Sequence, residues 1–229
     1  MPCWKNRNAT TAPALPNTTS GFTVTDATDH GETLNAEWAA EAAVVREALL
    51  SLPHVSSALE LAPGTGIWTQ ELLRLADRVV AVDAAPEMLA INQAKLQSDR
   101  VTYHLADLYE WEPDEPFDMI FFGFWLSHVP PEMLDGFLKR VAGWLKPGGH
   151  VFMVDLRRTP SSTAPDNRLP EADEIIATRK LNDGQTYRVY KIFYEPADLV
   201  GHFARAGLDA SAAVTDHYFV YASATRSTD

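Results

Sequence analysis

Between Ala58 and Val154 short, largely apolar runs alternate with segments of helical spacing. The runs are Ala58–Leu61, Val79–Val82, Val101–Leu105, Phe117–Phe122 and Val151–Val154; the helical segments are Trp68–Leu75, Pro86–Leu96 and Pro131–Leu145. Strands without polar alternation are buried on both faces, and strands separated by helices pair in parallel. The expectation is an α/β fold: a doubly wound, Rossmann-like sheet covered by helices on both sides.

The flanks follow other rules. Residues 1 to 21 are rich in Ala, Thr, Asn and Pro and carry no hydrophobic period, which predicts a disordered or loosely docked tail ahead of one domain over 22–229. Leu34, Trp38, Ala42, Val45 and Leu49 fall on one face of a helix before the first strand. After Val154 a Pro- and Ser-rich loop leads to Ile175–Leu181, the turn Asn182-Asp183-Gly184, and Thr186–Phe193. Asp-Gly between two strand-like runs predicts a hairpin, so an inserted loop and arm are expected at about 156–193. Glu195–Ala206 reads as a helix ended by Gly207, with Leu208–Thr215 and Tyr218–Ala222 as closing strands.

Charge narrows the function. A formal net charge of −12 repels a polyanion, and nucleic-acid binders draw most of their affinity from phosphate contacts. Nucleic acid is therefore not the expected partner. No apolar run approaches the roughly 20 residues of a membrane helix, no signal-peptide pattern opens the chain, and Cys3 is the sole cysteine. A cytoplasmic protein without membrane contact is expected.

The informative stretch is Glu60-Leu61-Ala62-Pro63-Gly64-Thr65-Gly66, which joins the first strand to a helix through a glycine-bearing turn. Ligands of open parallel sheets sit beyond the carboxyl ends of the strands, where small residues allow close approach. Asp83 ends the next strand 19 positions after Gly64, where a carboxylate can accept both ribose hydroxyls. A dinucleotide site wants a third small residue, but that place holds Thr69. As plain alternatives, Asp83 would cap the following helix and the glycines would make an ordinary turn.

These residues resemble the Rossmann-like class I methyltransferases that use S-adenosylmethionine (SAM), in the branch acting largely on small molecules. Ala62 stands where the family has its first glycine. The resemblance covers about residues 55–155 and implies a seven-stranded sheet with an antiparallel last strand. It also implies a SAM site at Glu60, Ala62, Gly64, Gly66, Asp83, Ala84, Met88, Asp107, Leu108 and Phe124. In that reading Asp83 binds the ribose, Ala84 and Met88 line the adenine, and Asp107 meets its amino group. The product would be S-adenosyl-L-homocysteine.

Methyl transfer requires binding, alignment and exclusion of water more than protein-borne chemistry. His128, just beyond the fourth strand, is the candidate base for an acceptor that must lose a proton; holding its loop is the competing role. Trp125, Asp155, Arg157, Tyr187 and Tyr190 are candidate acceptor contacts, with core packing or a solvated loop as alternatives. The hairpin would roof the acceptor, join two copies as a homodimer, or only extend an edge. No second ligand has metal spacing near His128, so no metal is expected. The favoured reading is transfer of a methyl group to an oxygen or nitrogen of a small molecule. A protein or nucleic-acid methyltransferase and a non-catalytic SAM-binding regulator are the competing classes.

Overall fold

The computed structural model describes residues 32–159, 171, 174–180 and 186–228. The elements run α1 (Glu32–Leu50), β1 (Val55–Leu61), α2 (Ile67–Leu75), β2 (Ala76–Asp83), α3 (Pro86–Leu96), β3 (Val101–Leu105) and β4 (Phe117–Gly123). They continue with α4 (Pro131–Trp144), β5 (Leu145–Leu156), β6 (Ile176–Lys180), β7 (Thr186–Tyr190), α5 (Pro196–Arg205), β8 (Leu208–Val214) and β9 (Phe219–Arg226). The predicted tail, most of the inserted loop and the Asn182-Asp183-Gly184 turn lie outside the described residues.

Seven strands form one sheet in the order β3-β2-β1-β4-β5-β9-β8. β1 pairs in parallel with both β2 and β4, so the chain winds one way through β2 and β3 and the other way through β4 and β5. The crevice at that reversal, beyond Leu61 and Gly123, is where such a fold takes its ligand. β9 runs antiparallel between β5 and β8. This is the expected Rossmann-like sheet, including its antiparallel last strand.

Two apolar layers sandwich it. Leu59, Leu61, Ile120, Phe122 and Val151 pack under α4 and α5, with Phe137, Leu138, Val141, Leu199 and Phe203. Ala58, Val79, Met119, Phe121 and Phe152 face α1 and α2, with Val45, Leu49, Trp68 and Leu72. Alternate residues of β1, β2, β4 and β5 therefore serve opposite layers, which explains why their runs lack a regular polar alternation. β5 is longer than its apolar stretch predicts because antiparallel β9 pairs with it from His150 to Leu156.

Helix α1 is fastened to the far end of the chain. Trp38 packs edge-on against Tyr218 and Phe219, with ring centroids 4.9 and 4.6 Å apart. One turn later Glu41 accepts the backbone N–H groups of His217 (3.0 Å) and Tyr218 (2.9 Å) and the Thr215 hydroxyl. Burial alone would push the Glu41 carboxyl up, but the Thr215 hydroxyl and these N–H groups outweigh it and hold it below its ordinary value. Trp38 is thus core packing for α1. No helix among the described residues is long and apolar enough to cross a membrane.

Candidate active site

The turn from β1 into α2 is built on left-handed backbone at every second residue. Ala62 has φ 53°, Gly64 53° and Gly66 81°. At Ala62 the difference from glycine is therefore one of conformation more than size, since an L residue there costs about 1–2 kcal/mol. A Cβ on Gly64 would meet nothing within 4 Å, so this bend borders open space.

Asp83 closes that space from the end of β2. Its carboxylate accepts the N–H of Gly64 at 3.3 Å and that of Ala85 at 2.9 Å. A carboxylate has about four acceptor sites, so two remain for a diol. Burial raises the Asp83 pKa against the pull of these N–H groups. Ala84 is half-buried beside it, and Met88 is buried in the first turn of α3.

Glu60 lies beneath the bend, 1 % exposed. Burial pushes its carboxyl up to about 8, against the Thr69 hydroxyl and with help from Asp83. Its Oε2 has no hydrogen-bond partner among the described residues, and such buried polar atoms call for a ligand or water. An open bend, a half-used carboxylate and a buried acid with one unpartnered oxygen fit a ligand carrying a ribose and a cationic group, as SAM does.

The remaining cofactor candidates converge on the same edge. The Ala106 N–H donates to the Asp83 carbonyl at 2.9 Å, which brings the β3 loop alongside. Asp107 is exposed there and its carboxylate accepts the Tyr109 N–H at 2.9 Å, while Leu108 is buried. Arg140 of α4 holds this loop by donating to the carbonyls of Tyr109 (2.8 Å) and Trp111 (2.5 Å). Phe124, at the end of β4, has φ 56°. A bulky residue in that region is strained, and such strain is found at ligand clamps and active sites.

Beyond β4 the two aromatics part company. Phe124 turns toward Phe219, centroids 6.3 Å apart, in the α1 layer. Trp125 turns to the other layer, against Tyr109 at 5.8 Å and Phe137 at 6.5 Å. Leu126–His128 then form a one-turn 3-10 helix. His128 Nδ1 lies 2.6 Å from the Tyr190 carbonyl. A carbonyl only accepts, so Nδ1 carries a proton and Nε2 is the nitrogen at which the ring would gain or lose one.

The hairpin of β6 and β7 returns its chain directly onto this loop. The Ile192 N–H donates to the Ser127 carbonyl at 2.9 Å. Lys191, 4 % exposed, donates to Ser127 Oγ at 2.8 Å and to Asp155 Oδ1 at 3.1 Å. Asp155, 1 % exposed, also accepts the N–H groups of Ser127 and Leu156. Burial would raise its carboxyl, but Lys191, His128 and those N–H groups together hold it below the usual range.

Not every acceptor candidate faces the site's open side. Arg157 donates to the carbonyls of Thr215 and Asp216, at 2.5 and 2.6 Å, and so clamps the β8–β9 turn. Asp155 spends its carboxylate on Lys191 and backbone. Tyr190 presents its carbonyl to His128, and the Tyr187 side chain lies outside the described residues. Asn92, Ser127, Lys191, Tyr109 and Tyr194 belong to the site's surroundings without having been singled out by sequence. Among the described residues no three His, Cys, Asp or Glu side chains are grouped to hold a metal.

Known proteins carry the same design. A family described as "Methyltransferase domain" matches residues 58–149. The ubiquinone biosynthesis O-methyltransferase of Xanthomonas euvesicatoria pv. vesicatoria (strain 85-10) is 31% identical over 169 residues, covering 69% of this chain and 67% of the relative. Matches to its counterparts in other Xanthomonas strains cover 61–64% of their length. The solved complex of DhpI with SAH superposes with a TM-score of 0.71 at 32% identity, over 85% of this chain and 88% of that one. The DhpI complex with SAM and HEP gives 0.69 at 34% identity, over 80% and 85%. With the reversal of winding and the left-handed bend inside the matched span, this chain belongs to the class I SAM-dependent methyltransferases.

Proposed function

We propose that the chain transfers the methyl group of SAM to an oxygen or nitrogen of a small-molecule acceptor, with His128 as the base. When bound, SAM supplies an electrophilic methyl on a sulfonium. The residues from Glu60 to Gly66, with Asp83, Ala84, Met88, Asp107, Leu108 and Phe124, would hold it. What the chain must add is a place for the acceptor and a sink for its proton.

One observation carries this reading. Trp125 Nε1, Tyr109 Oη and Tyr194 Oη are buried and have no hydrogen-bond partner among the described residues. All three belong to the same apolar layer, on the His128 side of the sheet. Buried polar atoms are nearly always satisfied, so this grouping supports a compact, polar ligand seated among aromatic walls. Burial pushes both phenols far up, helped by Asp107 and Glu132 at Tyr109 and by Asp155 and Asp198 at Tyr194. They therefore stay protonated and able to donate.

His128 suits the second need, with its ring held through Nδ1 and Nε2 as the nitrogen that would take the acceptor's proton. The bonds from Tyr190, Lys191 and Ile192 to the β4 loop support the hairpin as a roof over the acceptor rather than a remote dimer arm. The named substrate pathway of the Xanthomonas relatives also favours a small acceptor and oxygen.

The test is turnover of SAM against a panel of phenols, hydroxy acids and amines, with SAM binding followed by calorimetry. Wild type is expected to methylate at least one class. His128→Gln is expected to bind SAM as wild type does, yet lose about 10²–10⁴ in kcat, the usual worth of a general base. Tight SAM binding with no turnover on any acceptor would favour a regulatory SAM-binding protein instead.

A further inference from the structure

His128 reaches the Tyr190 carbonyl, and the next residue along is the most deeply placed cation of the site. We propose that Lys191 is a positioning residue, whose bonds to Ser127 and Asp155 hold the Tyr190 carbonyl where it fixes the His128 ring with its proton on Nδ1. The inference deepens the assignment of His128 as base and rests on it for its catalytic consequence.

The geometry leaves the hairpin little choice. Lys191 Nζ meets Ser127 Oγ at 2.8 Å and Asp155 Oδ1 at 3.1 Å, and its backbone N–H meets the Ile175 carbonyl at 2.9 Å. Ser127 in turn gives its N–H to Asp155 Oδ2 at 2.9 Å and accepts the Ile192 N–H at 2.9 Å. The two residues flanking the Nδ1 bond in sequence, Ser127 before His128 and Lys191 after Tyr190, are thus clasped to each other and to the end of β5. A carbonyl held this way selects one tautomer. Without the clasp, the carbonyl is free to move and the proton can sit on either nitrogen. Neither Ser127 nor Lys191 need touch the acceptor for this.

Histidine-labelled protein, studied by long-range proton–nitrogen NMR above the imidazole titration, reports the tautomer directly. The His128 signal is assigned by its disappearance in His128→Gln. Wild type is expected to show the Nδ1–H form alone. The double variant Lys191→Met with Asp155→Asn removes the clasp without stranding a buried charge, and is expected to show mixed tautomers. Its kcat should fall about tenfold or more, part of the roughly 10²–10⁴ a general base supplies. KM for the acceptor should stay within about twofold, as for an interaction made only in the transition state.

An unchanged Nδ1–H tautomer in the double variant overturns the proposal. So does a raised acceptor KM with kcat intact, which would make Lys191 an acceptor-binding group. Loss of folding in both the double variant and Lys191→Arg would make it a folding element and overturn it too. Full turnover in His128→Gln would sink the base assignment by itself, and the tautomer comparison would still decide for or against the clasp.

Discussion

A Cβ placed on Gly66 would stand 2.5 Å from Oδ1 of Asn92, so α2 and α3 meet at the cofactor bend only because position 66 has no side chain. Asn92 cannot step aside. It is fully buried, donates to Thr69 Oγ1 at 2.9 Å and accepts the Tyr103 hydroxyl at 2.8 Å.

Gly66→Ala is therefore predicted to cost about 2–4 kcal/mol, from left-handed backbone strain and overpacking together. SAM affinity should fall with it, because the bend would have to move. Urea unfolding and calorimetry check both. A variant matching wild type in both would show that the bend repacks freely.

Ala62 offers the opposite change. Its φ of 53° suits glycine, and relief of about 1–2 kcal/mol exceeds the roughly 0.4–1 kcal/mol that glycine adds to the freedom of the unfolded chain. Ala62→Gly should raise the urea midpoint modestly with an unchanged slope. A lower midpoint would mean the methyl packs better than the backbone suffers.

Glu60 predicts a pH dependence. Its carboxyl is raised to about 8 in the folded chain, so between the ordinary Glu range of ~4.3 and that value the native state holds a proton the unfolded state has lost. The stability it contributes is complete below the ordinary range and is lost as pH rises toward 8. In the protein without SAM, Glu60→Gln should flatten that decline, seen in unfolding free energies across the interval. A cationic group seated beside Glu60 would draw off its proton, so SAM binding near neutrality should release about one proton. Binding enthalpies that do not vary with buffer ionisation would rule this out.

The buried pair Lys191 and Asp155 should be strongly non-additive. Lys191→Met strands a carboxylate and is predicted to cost about 3–5 kcal/mol, whereas adding Asp155→Asn recovers much of it. Equal losses in the single and double variants, measured by denaturation, would show that the charge itself matters little.

The parallel sheet was legible because β1, β2, β4 and β5 must each satisfy two apolar layers, and that leaves runs without polar alternation in the sequence. The hairpin was legible from Asp183-Gly184 between two runs, and the cofactor edge from glycines with an acid at the next strand end. Asn92, Lys191 and Ser127 were not. Asn92 sits 23 positions from Thr69, and Lys191 sits 64 from Ser127 and 36 from Asp155. No local period marks such partners, since the topology alone brings them together. Arg157 was open for a related reason: a cation after β5 can face the acceptor or the neighbouring turn, and only the folded β8–β9 connection places its bonds to the Thr215 and Asp216 carbonyls.

The grip of Glu41 on residues 215–218 spans 174 to 177 positions. Most helical stability in proteins comes from packing of an apolar face, and part of the seat of α1 is made by residues near the far end of the chain. Val45 and Leu49 pack with the earlier strands and α2, but Trp38 and Glu41 find their partners only when the β8–β9 turn has emerged. Completion of the sheet, rather than its initiation, is thus the moment at which α1 is fastened, and a ribosome stalled before that turn would leave Trp38 without its aromatic partners.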